Sequence, residues 1–230
     1  MYKTPELVDT LLRAMAKRAM SCHSGRMNAC ATDPVLWAHT LIHSRRTTLP
    51  KRLKGPGPDE AQKQLILHAA CAAPDHDQLL PWRFVEVPGQ ARTRLGQAFA
   101  QALRERDPEA SPDELAQAHD KALRSPWLLA LIVRTGGEPS EIAAPERLLS
   151  AGAAVQNMLL MCTALGLGSG LTSGKALSSA PLRALLQLAP EEQAICFVNV
   201  GHVGEPRKPR ARPEVARYFS VLDGTDPTPG

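Results

Sequence analysis

Behind Thr4-Pro5-Glu6, a capping threonine with proline at the first helical position, Leu7, Val8, Leu11, Leu12 and Met15 recur at helical spacing and predict a helix with one apolar face. The small, polar stretch SCHSGRMNACAT then breaks the pattern, so residues 1–32 read as a helical extension and residues 33–230 as the main domain. Asp33-Pro34 repeats the cap-plus-proline signal and launches a helix through Val35, Leu36, Leu41 and Ile42, which runs into Ser44-Arg45-Arg46-Thr47. After the loop KGPGP, Pro58-Asp59-Glu60 opens a second helix carrying Leu65, Ile66, Leu67, Ala69 and Ala70. WRFVEV alternates in the strand manner, with Trp82, Phe84 and Glu86 on one side and Arg83, Val85 and Val87 on the other. A helix over 90–105 follows, and Ser111-Pro112-Asp113-Glu114 is a capping box for another. WLLALIV is a continuous apolar run of strand length and predicts a central strand buried on both faces. Residues 145–165 are apolar nearly all round, interrupted mainly by Gln156 and Asn157, so this helix should be buried within the fold or against a second subunit. AICFVNVGHVG supplies the last strong strand. Strands and helices alternate without a regular βαβ repeat, which predicts an α+β layered architecture.

Composition adds bounds to that picture. At 230 residues, 43% hydrophobic and 22% charged, the chain suits one compact domain with an appendage. The formal charge of +4 is spread out, and its densest run, HSRRTTLPKRLK, is too short to define a nucleic-acid footprint; an anionic small molecule is a sufficient partner. Five cysteines, widely spaced and without a CxxC, indicate neither a disulfide framework nor a zinc knuckle and point to a reducing, cytoplasmic compartment. Charges interrupt the apolar N-terminal positions, and no later stretch is long and apolar enough to span a membrane, so a soluble protein is expected.

Three stretches carry candidate chemistry. GLGSGLTSGKA has neither defining feature of a P-loop, since Ser169 stands where glycine is needed and Ala176 follows Lys175; Leu171 likewise breaks a dinucleotide fingerprint. Its glycines read as a helix C-terminus with left-handed positions leading into a strand, which leaves the hydroxyl pair Thr172-Ser173 unexplained. Arg45-Arg46-Thr47 sits at a helix end, where a solvated basic turn is the ordinary reading, yet two forked guanidiniums and a hydroxyl also suit a phosphate monoester. A second basic group, Arg207, Lys208 and Arg210, follows the final strand. In APDHDQLLPWRF, Asp75-His76-Asp77 lacks the companions of a metal site, and no GxSxG offers a nucleophile for a histidine to activate. His76 reads equally as a turn residue donating to a carbonyl and as a functional side chain. His39, His68 and His119 lie on predicted helices without companions and read as structural.

The order of these pieces, Ser44-Arg45-Arg46-Thr47, then APDHDQLLPWRF, then GLGSGLTSG, resembles the FMN-dependent nitroreductase family, in particular its small bacterial NAD(P)H nitroreductases. The likeness runs from about Val35 to Phe219. It implies an α+β, nitroreductase-like three-layer sandwich, a central mixed sheet flanked by helices, in a homodimer with FMN at the subunit interface. It also implies that Arg45, Arg46 and Thr47 hold the FMN phosphate and ribityl chain with Lys208 or Arg210, and that Leu171, Thr172, Ser173 and a His76 from the partner line the flavin. The segment Met161, Cys162, Thr163, Ala164, Leu165 and Gly166 is where the family meets NAD(P)H, the co-substrate. The implied reaction is ping-pong hydride transfer from NAD(P)H to a nitroaromatic, quinone or similar small-molecule acceptor, with the chemistry carried by FMN, no metal, and no catalytic side chain. Thr47 stands where serine is usual, Ala72 where arginine is frequent and Thr172 where a basic residue is common. A flavin-storing protein with an occluded site is the alternative on the same fold. A basic nucleic-acid-binding module rests only on His43 to Lys54.

Overall fold

The computed structural model describes residues 33–139, 141–204 and 211–222. The predicted N-terminal helix and Arg207, Lys208 and Arg210 lie outside the described residues. By its internal contacts the chain divides into two compact units, Leu41–Pro206 and Met1–Thr40 with Arg207–Gly230. The division falls inside helix α1 (Pro34–Ser44). Asp33 caps α1 as its sequence predicts, accepting from the Val35 N–H at 2.9 Å.

Within Leu41–Pro206 the elements run β1 (Leu53–Lys54), α2 (Glu60–Ala70), β2 (Trp82–Glu86), α3 (Arg92–Arg106), α4 (Pro112–Asp120), β3 (Trp127–Arg134), α5 (Ala144–Ala164), β4 (Gly168–Thr172), α6 (Ala180–Leu185) and β5 (Glu192–Val203). Both expected capping boxes are formed. Asp59 accepts from the Gln62 N–H at the start of α2, Ser111 accepts from the Glu114 N–H at the start of α4, and the Gln62 and Glu114 side chains bond back.

The sheet has the order β1-β5-β3-β2, with β4 also paired to β5. All four ladders are antiparallel, so the expected mixed character reduces to one parallel bridge, Thr47 to Ser169. The apolar run of β3 is explained by burial on both faces. Leu129, Leu131 and Val133 face α2 and α5, while Leu128, Ala130 and Ile132 face α3 and α6. On β5, Cys196, Val198 and Val200 join the first core and Ala194 and Phe197 the second. A bulge places Ala194 opposite Ile132 and Cys196 opposite Leu131, leaving Ile195 as the extra residue and keeping both faces in phase. Three layers result: α2 and α5, the sheet, and α3, α4 and α6.

Helix α5 buries Ala151, Ala154, Val155, Met158, Leu159 and Cys162 on the sheet side; Leu149 is 75% exposed and Gly152 and Gln156 also face outward. Packing of α4 on α3 is close enough that Gly96 admits no side chain, because a Cβ there would lie 2.5 Å from the His119 ring. His119 is therefore a packing residue. Among the described residues no helix is long and apolar enough to cross a membrane.

Arg147, on the first turns of α5, is 1% exposed and replaces the missing backbone pairing of the irregular segment before the helix. Its guanidinium donates to the carbonyls of Ile142, Gly136 and Gly137 at 2.8, 2.9 and 2.8 Å and to that of Pro139. Arg147→Met is expected to cost about 3 kcal/mol or more, since each buried carbonyl left unpaired costs about 1–3 kcal/mol. Urea unfolding measures it; a loss below about 1 kcal/mol would show that water replaces the guanidinium.

Candidate functional site

The end of α1 turns into the edge of the sheet. Thr47 bridges Ser169 in the parallel sense, and the Thr48 N–H donates to the Ser169 carbonyl at 2.8 Å, so Arg45-Arg46-Thr47 is laid beside β4. Two sequence motifs 122 residues apart (Thr47 and Ser169) thereby share one strand edge, and β4 ends at Thr172, directly before Ser173.

Glycine makes this approach possible. A Cβ on Gly170 would lie 2.4 Å from the Thr48 carbonyl oxygen, and one on Gly168 would lie 2.7 Å from Val203 and 2.9 Å from Leu53. Only Gly166, with φ +72°, has the left-handed conformation expected of this segment's glycines; it ends α5. Gly168 and Gly170 serve close approach, a different physical reason for the same residue type.

Arg46 donates to the carbonyl of Arg45 at 3.1 Å and to that of His43, so it ties down the C-terminal turn of α1 while keeping its charge at the helix's negative end. Arg45, half-buried, has Nη1 3.5 Å from Thr47 Oγ1. On β4, Thr172 Oγ1 accepts from Asn199 Nδ2 at 3.0 Å, and the same amide reaches the carbonyls of Gly170 and Phe197 at 3.3 Å each. Asn199 is 3% exposed. It positions Thr172, and sequence reasoning missed it, although an amide within the apolar run FVNV must find buried partners. Leu171 is 44% exposed and Ser173 is exposed, so both are available to a ligand.

His76 occupies a corner. Asp75 accepts the Leu80 N–H at 2.6 Å, and Asp77, Gln78 and Leu80 adopt positive φ, so the aspartates shape the turn as their sequence predicts. The imidazole faces the first turn of α5, with Nδ1 2.8 Å from Glu146 Oε2 and Nε2 3.8 Å from Asp77. Its partner is thus a carboxylate, not the carbonyl considered from sequence. The bond to Glu146 raises the His76 pKa, helped by the charges of Asp77, Glu146 and Asp75, and it holds the Glu146 carboxyl below its usual range.

The expected nicotinamide-contacting stretch divides in two. Cys162 is fully buried in the core, where burial pushes its thiol up to about 12, so its side chain is withdrawn from any ligand. Thr163 donates to the Leu159 carbonyl, Met161 and Leu165 pack against the core, and Ala164 and Gly166 are exposed. Among the described residues no cluster of His, Cys, Asp or Glu is placed to hold a metal.

The profile described as "Nitroreductase family" matches residues 42–202, which runs from before β1 to His202 of β5 and includes Arg45-Arg46-Thr47, His76 and the 166–173 segment. The chain belongs to the nitroreductase family. A Haemophilus influenzae protein named "Putative NAD(P)H nitroreductase" is 27% identical over 164 residues, covering 71% of this chain and 87% of the relative. An Escherichia coli protein of the same description, YdjA, is 30% identical over 164 residues, covering 70% and 85%. Among solved structures, a nitroreductase-like family protein from Bacillus cereus superposes with TM-score 0.69 at 18% identity, covering 86% of this chain and 100% of that one. The NADPH:FMN oxidoreductase of Vibrio harveyi superposes with TM-score 0.62 at 15% identity, covering 83% and 79%. These similarities establish a nitroreductase-like α+β fold for this family member.

Two outcomes are expected from the geometry. Gly170→Ala should push residues 47–48 off β4 and destabilise the protein by about 1–3 kcal/mol, as overpacking does, whereas Gly174→Ala should be tolerated because a Cβ there meets nothing within 4 Å. Equal thermal stability of the two variants would refute the close-approach argument. For His76, a raised pKa means that the pair's contribution is fully present below the ordinary value of 6.5 and fades as pH rises through the higher folded value. For Glu146 the contribution is present above its ordinary pKa and is lost as pH falls through the depressed one. NMR titration should therefore place His76 above 6.5, and Glu146→Gln should lower it; an unchanged midpoint in that variant would remove Glu146 as the cause.

Proposed function

We propose that this nitroreductase-family oxidoreductase binds FMN along the edge of β4 and uses it to oxidise NAD(P)H at the expense of a nitroaromatic, quinone or similar small acceptor. The observation that carries this reading is the Thr47–Ser169 bridge, which places forked cations and hydroxyls on one ledge. A flavin mononucleotide needs that combination: cations for its phosphate and small donors along its ring. The donor set fits. Arg45, with Thr47 at its fork, receives the phosphate, and Arg46 holds the turn in place. Leu171, exposed at the end of β4, offers an apolar surface to the ring, while Thr172, fixed by Asn199, and Ser173 present hydroxyls at its edge.

Bound FMN would supply the two-electron chemistry; the chain supplies binding, orientation and exclusion of water. In a homodimer the outward face of α5, with Leu149 and Gly152, would be covered and His76 could face the partner's flavin, its charge supported by Glu146. The exposed end of α5, Ala164 to Gly166, is assigned to the nicotinamide side. Reductant and acceptor using one face in turn gives ping-pong kinetics.

Purified protein is expected to be yellow and to bleach when NADPH or NADH is added without oxygen. Colour that persists with both reductants would indicate a flavin-storing protein, and no uptake of supplied FMN would refute the reading. Arg45→Ala should weaken FMN retention about 10- to 100-fold, the equivalent of one charge-assisted hydrogen bond, with its unfolding midpoint little changed. Parallel loss of fold and flavin would show that Arg45 is structural.

A further inference from the structure

A cavity of about 510 Å³ lies on the side of the sheet covered by α3 and α4, a volume in the range of small-molecule sites. Its floor is apolar: Leu128 of β3 and Phe197 of β5, with Phe99 of α3 meeting Phe197 edge to face at 5.6 Å between ring centres. Its rim is cationic. Lys51, Arg106, Lys121, Arg124 and Lys175 come from four separate segments, and among the described residues no aspartate or glutamate lines the cavity. Among the described residues none of these five side chains is bonded to a carboxylate, while other arginines of the chain are committed to carboxylates or carbonyls, as Arg83 is to Glu192 at 2.6 and 2.8 Å and Arg92 to Val87 and Ala122. Like charges gathered around a partly enclosed apolar space repel one another, and their field is focused into it by the low-dielectric wall. The arrangement is complementary to a molecule with an apolar body and an anionic head.

We propose that this cavity binds an amphipathic organic anion, an aromatic or alkyl body carrying a carboxylate, at a site separate from that of the flavin. Binding does not depend on the flavin reading; separateness does, because Thr172 and Ser173 border both places while Arg45, Arg46, Thr47 and Leu171 do not line the cavity. The apolar body rests on Phe99, Phe197 and Leu128, and the head is held between Arg106 and Arg124, whose planar forks suit a carboxylate. Asn199, already bonded to Thr172, forms part of the wall, so an occupant touches a residue that positions the β4 ledge.

The test uses 2-naphthoate and its neutral analogue 2-naphthamide, titrated by fluorescence into the protein as purified, with flavin in the ultrafiltrate followed by absorbance. The naphthoate is expected to bind at least 10-fold more tightly than the amide, and to weaken with rising salt while the amide does not. Arg106→Gln with Arg124→Gln should reduce naphthoate affinity 10-fold or more and leave the amide unchanged. Should the double variant fold poorly, Lys121→Gln, a single exposed site, should give a smaller loss in the same direction. Equal affinity for the two probes, a salt-independent naphthoate, or variants that bind like the wild type would overturn the proposal. Release of flavin by naphthoate would also overturn it, since the cavity would then be the flavin's own. Tight naphthoate binding to protein that takes up no FMN would sustain this site while refuting the proposed function.

Discussion

The ledge at β4 and the cavity floor are both hung on β5. It pairs with β3 over Glu192–Val200 on one edge and with β4 and then β1 over Phe197–Val203 on the other, so from Phe197 to Val200 both rows of backbone donors and acceptors are occupied. Buried N–H and C=O groups demand this, and the demand is what fixes where β4 lies. Because among the described residues β4 takes only β5 as a ladder partner, its other edge remains for the chain at Thr47 and Thr48. Moving β5 by one residue would exchange its two faces, carry Val198 and Val200 from the α2–α5 core to the α3–α6 side, and take Asn199 away from Thr172. Register and site are therefore one specification.

The helices show how a local rule is satisfied and then used. A capping box at Asp59 aims α2 at the sheet, and α2 delivers the corner that carries His76. At the other end of that corner, Glu146 lies in the first turn of α5, where a carboxylate is favoured by the helix N-terminus and also pairs with the imidazole. One side chain thus serves helix, corner and histidine. Arg147, its neighbour, lies on a different face and holds the carbonyls of the preceding segment. Adjacent helix positions lie 100° apart, which is why two polar residues in sequence act on different faces.

The layers were legible from sequence because their signals are local. The unbroken apolar run of β3 reports burial on both sides, the alternation in β2 reports strand, and the capping residues mark the helix starts to within about two residues. Partners were much less legible. Asn199, Glu146 and the five cations around the cavity are ordinary residues in sequence, and their meaning comes from neighbours 27 to about 120 positions away. The glycines of GLGSGLTSG show the same limit. Their number was evident, but a left-handed turn at Gly166 and strand positions crowded by another backbone at Gly168 and Gly170 have identical letters. A short helix such as α6 and a strand of two residues such as β1 carry too little periodicity to be seen in advance.

The titratable groups also limit what the chain does unaided. Burial pushes the thiols of Cys162 and Cys196 up to about 12 and about 11, which leaves no thiolate at neutral pH and removes both as nucleophiles. The carboxyls held below their usual range, Glu114, Glu146 and Glu192, are each accounted for by a cap or an ion pair within the fold. Glu114 closes a helix, Glu146 holds a histidine, and Glu192 grips Arg83. What remains along β4 is a set of donors and cations with no group poised to take or give a proton. Such an edge is suited to binding and orienting an anion, and under the proposed function it would leave bond-making to the group it holds. A nitroreductase-family chain built this way changes its chemistry by changing what approaches the ledge. The cavity beyond Asn199 bears on that ledge through Thr172, the one side chain that the amide holds in common with it.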